Sequence, residues 1–235
     1  MLGVFLDRNS LHDHDLDFSE LDRLLPDLRY FQATAPHEVA ERIAEAEVVI
    51  SNKVVLDAAA LQQAQRLQLI CVAATGVNNV DLDAAAQRGI TVCNCRGYGT
   101  PAVVQHVFAL LLELMTQLSA YRQAVRAGRW QRSSQFCLLD FPIRELAGKT
   151  LGIIGYGELG QGVARVAEAF GMQVLIAQRP GAVEPEEGRV PLPMLLPQVD
   201  VLSLHCPLTP ETRGLIGAWE LALMRRDAIL INTAR

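Results

Sequence analysis

Lys149-Thr150-Leu151-Gly152-Ile153-Ile154 runs directly into Gly155-Tyr156-Gly157-Glu158-Leu159-Gly160. The first stretch reads as a short buried strand, and the residues over 159–170 have helical spacing behind it. A further apolar strand follows over 173–177. A glycine triplet of the form G-x-G-x-x-G is a weak signal alone. After a strand, opening a helix, with another strand beyond, it is the dinucleotide-binding βαβ pattern. The three glycines serve different physical ends. Gly155 permits the tight turn, Gly157 lets backbone approach a pyrophosphate, and Gly160 lets the helix pack close to the sheet. Glu158 and Leu159 open the helix, whose free N–H groups and dipole favour phosphate. A nicotinamide dinucleotide is the expected cofactor.

The end of the second strand reports on the ribose. An acid there binds the 2′-hydroxyl of NAD. This chain has Gln178, which carries no charge to repel a 2′-phosphate, followed by Arg179, which can pair with one. The pair favours NADP over NAD.

Downstream the alternation continues with a short helix over 192–196, a strand over 201–205, a helix over 218–224 and a strand over 228–232. Arg235 then follows a buried-looking strand, where a doubly wound sheet normally has its second half. The cofactor unit is therefore expected to be incomplete at its C-terminus. Upstream, strands over 2–7, 28–33, 48–51, 67–73 and 90–93 alternate with helices over 17–25, 37–46, 57–65 and 82–87. Short continuous apolar strands between amphipathic helices imply a parallel sheet covered on both faces. The chain is thus α/β throughout.

The two halves meet at Gly97-Tyr98-Gly99-Thr100-Pro101, where Thr100 suits an N-cap and Pro101 a first helical residue. The expected domains are 1–99 and 100–235. A single helix is predicted over 101–127, apolar on more than one face (Val103, Val104, Val107, Phe108, Leu110, Leu111, Leu112, Leu114). Such a helix is buried, often against a partner chain, so a homodimer is expected through it.

The formal net charge of -5 gives no electrostatic reason to bind nucleic acid or a membrane surface. The N-terminus lacks the basic stretch and long apolar core of a signal peptide, and no apolar run reaches spanning length. The five cysteines, Cys71, Cys93, Cys95, Cys137 and Cys206, are odd in number and scattered in apolar settings. They read as reduced, buried thiols of a cytoplasmic protein, with Cys93 and Cys95 packing into a core from one strand. His12 and His14 alternate with Asp13 and Asp15, an arrangement that invites a metal, but no metal is expected. His205 at a strand end reads as structural.

Together with the glycine fingerprint, Leu204-His205-Cys206-Pro207-Leu208-Thr209-Pro210-Glu211-Thr212-Arg213-Gly214-Leu215-Ile216 and Leu230-Ile231-Asn232-Thr233-Ala234-Arg235 resemble the D-isomer-specific 2-hydroxyacid dehydrogenases. The resemblance covers essentially the whole chain. Ser51-Asn52-Lys53-Val54, Ala74-Thr75-Gly76-Val77-Asn78-Asn79-Val80-Asp81-Leu82 and Asn94-Cys95-Arg96-Gly97-Tyr98-Gly99-Thr100 with Gln105-His106 resemble the glycerate dehydrogenase (hydroxypyruvate reductase) branch.

That resemblance implies a flavodoxin-like substrate domain, a Rossmann-type cofactor domain and an active site in the cleft between them. It places substrate at Asn52 and at the backbone N–H groups of Thr75, Gly76 and Val77, and exposed N–H groups in a turn do suit an anion. Arg235 matches the arginine that binds the substrate carboxylate and carbonyl. Thr233 and Ala234 fall along the nicotinamide, and Cys206, Pro207 and Thr212 on the rest of the dinucleotide. The implied reaction is reduction of hydroxypyruvate or glyoxylate to glycerate or glycolate, or its reverse. The histidine and glutamate that handle the proton in this family are expected beyond Arg235, so the 235 residues alone are expected to be inactive, as a fragment or a natural truncation. Phosphoglycerate dehydrogenase and a non-catalytic, corepressor-like dinucleotide-binding protein are the alternatives.

Overall fold

The computed structural model describes residues 1–11, 16–182, Glu184 and 186–234, and they divide into two compact units, Met1–Arg96 and Gly97–Arg235. His12, Asp13, His14, Asp15 and Arg235 lie outside the described residues.

In the first unit, β1 (Leu2–Phe5), β2 (Asp27–Tyr30), β3 (Val48–Ser51), β4 (Leu69–Val72) and β5 (Thr91–Asn94) form one parallel sheet in the order β2-β1-β3-β4-β5. That is the flavodoxin-like order, with its reversal between β1 and β3. The connections carry α1 (Ser19–Leu24), α2 (Val39–Ile43), α3 (Ala58–Gln63) and α4 (Leu82–Gln87). All four residues of central β3 are buried, as expected for a strand covered on both faces. Val4, Val49 and Ile70 pack with Ile43 and Leu61 on one side, while Phe5 and Ile50 pack with Leu25 on the other. Asp57 and Asp81 cap α3 and α4 by accepting from the N–H groups of Ala60 and Ala84.

Asp7 joins two loops of this sheet. It is 5% exposed. Its carboxylate accepts from the backbone N–H of Asn52 (2.9 Å) and Lys53 (2.7 Å) and from the Ser10 hydroxyl (3.2 Å). The ends of β1 and β3 are thereby tied through one side chain.

The second unit begins with two helices where one was expected. α5 (Thr100–Thr116) stops at Gln117, which is left-handed (φ 55), and α6 (Leu118–Arg126) departs at 60°. Two contacts stabilise the break. The Met115 carbonyl accepts from the Arg144 N–H (2.8 Å), and the Glu113 side chain accepts from the Ser119 N–H (3.1 Å). The helix is also not buried all round. Val104, Val107, Phe108, Leu111 and Met115 face the core, whereas Leu110 and Leu114 on α5 are exposed, as is Leu118 at the start of α6. Among the described residues no single helix is long and apolar enough to cross a membrane.

Beyond this bent helix pair, β6 (Thr150–Ile154), α7 (Glu158–Ala169), β7 (Gln173–Ile176), α8 (Leu192–Leu195), β8 (Val201–Leu204), α9 (Ala218–Leu223) and β9 (Ile229–Asn232) build a parallel sheet of order β7-β6-β8-β9. The α/β class holds in both units. α5 packs closely on α7: a Cβ on Gly162 would meet Val104 Cγ2 at 2.8 Å, and Phe108 stacks on Phe170.

The cysteines differ from expectation. All five are free, but none is buried; Cys93 and Cys95 are exposed, and Cys71, Cys137 and Cys206 are half-covered. Cys93 lies on edge strand β5 and Cys95 just beyond it, and three of that strand's four residues are exposed. An edge strand lacks the neighbour that would enclose them.

Candidate functional site

The turn from β6 into α7 shows three glycines under three different constraints. Gly155 has φ +91, and a Cβ there would lie 2.6 Å from His205 C and 2.5 Å from Cys206 N, the backbone leaving β8. At Gly160 a Cβ would run into the Gly155 carbonyl oxygen. Gly157 has nothing within 4 Å of that position, so its open side admits another molecule to the backbone. No side chain caps α7, and the first N–H used inward is that of Gln161, bonded to the Gly157 carbonyl (2.9 Å). The N–H groups of Glu158, Leu159 and Gly160 therefore face the space beside Gly157 as the free start of a helix. These residues fit a pyrophosphate. The Glu158 side chain itself is occupied, accepting from the Thr100 hydroxyl at 2.6 Å.

Two cavities flank this turn. One, of about 200 Å³, lies at the end of β7 and includes Ala177, Gln178, Arg179 and Leu215. The other, of about 220 Å³, brings together Cys206, Pro207, Thr212 and Ala234 with Leu204 and Asn232. Thr212 acts inside its own loop: its hydroxyl accepts from the Thr209 N–H (2.7 Å) and donates to the Pro207 carbonyl (2.6 Å).

Thr233 contacts His205. His205 Nε2 is 2.9 Å from the Ser203 hydroxyl, and its Nδ1 is 3.4 Å from Thr233 Oγ1. Burial pushes its pKa down to about 4, so the ring is neutral near pH 7 and ties the ends of β8 and β9. The sign of its pH effect follows. Between the ordinary histidine value and about 4, the unfolded chain binds a proton that the folded chain does not, so this contribution is present above that window and lost as pH falls through it. His205→Asn is expected to flatten the loss of stability between about pH 7 and about pH 5, read as urea midpoints. Parallel pH profiles for the two proteins would show that His205 has no such role.

In the first unit, Thr75, Gly76 and Val77 follow β4 as a loop. Its carbonyl side is held: Cys95 N–H donates to the Ala74 carbonyl (3.1 Å) and Asn94 Nδ2 to the Thr75 carbonyl (2.6 Å). Among the described residues no hydrogen bond uses the N–H groups of Thr75, Gly76 or Val77. Three consecutive donors are left for an anion. Asn52 behaves differently: it is 8% exposed, and its Nδ2 is committed to the Ser10 carbonyl (3.2 Å) and hydroxyl (3.1 Å). Its amide serves the fold of the loop. Asp7, which organises that loop, had no sequence signal beyond an acid ending an apolar strand. Among the described residues no group of three His, Cys, Asp or Glu side chains is arranged to hold a metal ion.

Residues 108–235 match the family described as D-isomer specific 2-hydroxyacid dehydrogenase, NAD binding domain. The chain is 47% identical over 232 residues to a protein of Methylorubrum extorquens named glycerate dehydrogenase, covering 99% of this chain and 72% of that one. It is 39% identical over 237 residues to a Blautia hydrogenotrophica protein named hydroxypyruvate reductase, covering 99% and 74%. Among solved structures, D-lactate dehydrogenase of Aquifex aeolicus complexed with NAD and lactic acid superposes with a TM-score of 0.82 at 30% identity, covering 99% of this chain and 69% of that one. An acyclic imino acid reductase in complex with NADPH and D-Arg gives a TM-score of 0.86 at 26% identity, covering 100% and 75%. With a glycine turn shaped for pyrophosphate and relatives that align along nearly its whole length, the chain belongs to the D-isomer-specific 2-hydroxyacid dehydrogenase family.

Proposed function

We propose that the protein reduces hydroxypyruvate or glyoxylate to the corresponding D-2-hydroxyacid, or runs the reverse, with a nicotinamide dinucleotide, NADPH in preference to NADH. The observation that carries this reading is the turn from β6 into α7, where Gly157 is open and the α7 N–H groups are uncapped. The names of the relatives supply the substrate class. The nicotinamide supplies a hydride to the carbonyl carbon. The chain's own contribution is binding and polarisation. The free N–H groups of Thr75, Gly76 and Val77 hold the carboxylate, Arg235 orients the substrate and draws charge from the carbonyl oxygen, and Thr233 and Ala234 line the nicotinamide side. The oxygen then takes a proton to give the alcohol, from the histidine that the family resemblance places beyond Arg235.

The test is consumption of NADPH with hydroxypyruvate, glyoxylate and 3-phosphohydroxypyruvate by the complete enzyme, carrying its proton-transfer histidine and glutamate. Turnover of the first two sustains the proposal. Dinucleotide binding without turnover of any of them would replace it with the corepressor-like reading.

Exposed Leu110 and Leu114 on α5 and Leu118 at the start of α6 support a homodimer, as does exposed Phe136 (92%) in the segment after α6. Light scattering should give twice the monomer mass, and Leu114→Glu should return the monomer; a monomeric parent would end that part of the proposal. Five free thiols suit a reducing, cytoplasmic setting.

A further inference from the structure

The segment after β7 brings two guanidinium groups onto one carboxylate. Arg179 Nε lies 3.1 Å from Glu186 Oε1, and the Arg179 backbone N–H donates to Glu186 Oε2 at 2.9 Å. Arg189 Nε lies 3.5 Å from that same Oε2. Arg189 is anchored by donating to the Ala177 carbonyl (3.3 Å), and Ala177 in turn bridges to Val190. Gln178 spans the loop, its Nε2 donating to the Glu184 carbonyl (2.8 Å). The Arg179 side chain is 72% exposed, while Arg189 is only 17% exposed. Arg179 also lines the cavity at the end of β7, where a dinucleotide places its ribose 2′ position.

We propose that Glu186 is an internal competitor for the 2′-phosphate of NADPH. Its carboxylate stands in the anion position between Arg179 and Arg189, and the phosphate gains both arginines only by displacing it. The inference rests on the dinucleotide reading above. The exchange is physically accessible at Arg179, whose side chain is 72% exposed and whose hold on the carboxylate is screened by solvent. A phosphate brings greater charge and three acceptor oxygens to the same two cations. NADH carries a hydroxyl at that position and has no need to move Glu186. The chain therefore holds two arginines suited to NADPH while spending part of their attraction internally.

The test is calorimetric titration of NADPH and NADH against the full chain and against Glu186→Gln, which keeps an acceptor for the Arg179 N–H but removes the charge. NADPH should bind about tenfold more tightly to the variant, the size expected for freeing one charge-assisted contact. NADH should move by less than about twofold on the same scale. Glu186→Ala should shift the ratio in the same direction, which separates loss of charge from loss of one hydrogen bond. If both dinucleotides bind and the ratio is unchanged in both variants, Glu186 is no competitor. Weaker NADPH binding in the variants would also overturn the proposal, because Glu186 would then be ordering the arginines for the phosphate. If neither dinucleotide binds the unmodified chain, the dinucleotide reading itself falls and takes this one with it.

Discussion

Gly155→Ala is expected to destabilise the second unit by about 3 kcal/mol or more and to abolish dinucleotide binding. Two costs combine. A side chain at φ +91 carries a backbone penalty of about 1–2 kcal/mol. Its Cβ would also overlap the backbone of His205 and Cys206, and backbone cannot step aside as a side-chain tip can. Overpacking of that kind costs about 1–3 kcal/mol. Gly157→Ala makes the contrast. Nothing lies within 4 Å of its Cβ position, so stability should change by less than about 0.5 kcal/mol while dinucleotide affinity falls. Thermal unfolding and titration on the two variants decide the matter. A Gly155→Ala protein as stable as the parent would mean that the turn relaxes freely, and a Gly157→Ala protein that binds normally would mean that the pyrophosphate lies elsewhere.

In the complete enzyme, Arg235→Ala is expected to lower kcat/KM for hydroxypyruvate by roughly 10²–10³-fold, the loss typical of one donor removed from a developing oxyanion. Arginine offers a planar fork of donors, matched to a carboxylate and a carbonyl together, and its charge is permanent. Arg235→Lys keeps the charge and loses the fork, so it should recover little of the rate. A loss in both kcat and substrate affinity would fit a residue that binds the carboxylate and polarises the carbonyl. Variant rates within about threefold of the parent would remove Arg235 from the mechanism.

Much of the fold was legible because local and tertiary demands coincide in it. β3 and β6 are continuous apolar runs and lie in the centre of their sheets. The three fingerprint glycines carry their signal in spacing, and each meets a different steric limit. The break at Gln117 had no such signal. Neither glycine nor proline marks it, and it depends on Arg144, which returns from 29 residues downstream to bond the Met115 carbonyl. The exposure of Cys93 and Cys95 is hidden from the sequence because an apolar strand does not announce whether it lies at the centre or the edge of a sheet. Within the candidate site, Gln178 and Arg179 could be found by counting from the glycines. Glu186 could not, since its meaning comes from a loop that folds back on Arg179 and Arg189. Asn52 stands in a motif and is bound inward, to Ser10.

The carboxylate of Asp7 has a consequence for redesign. Because it accepts N–H groups from Asn52 and Lys53 and the hydroxyl of Ser10, the segments following β1 and β3 form one mechanical part. Transplanting either segment alone from another protein, to alter which molecules the first unit admits, would strand buried donors on the other. The two must be exchanged as a matched pair, with an acid retained at position 7, and libraries that vary one of them in isolation would return mostly misfolded chains.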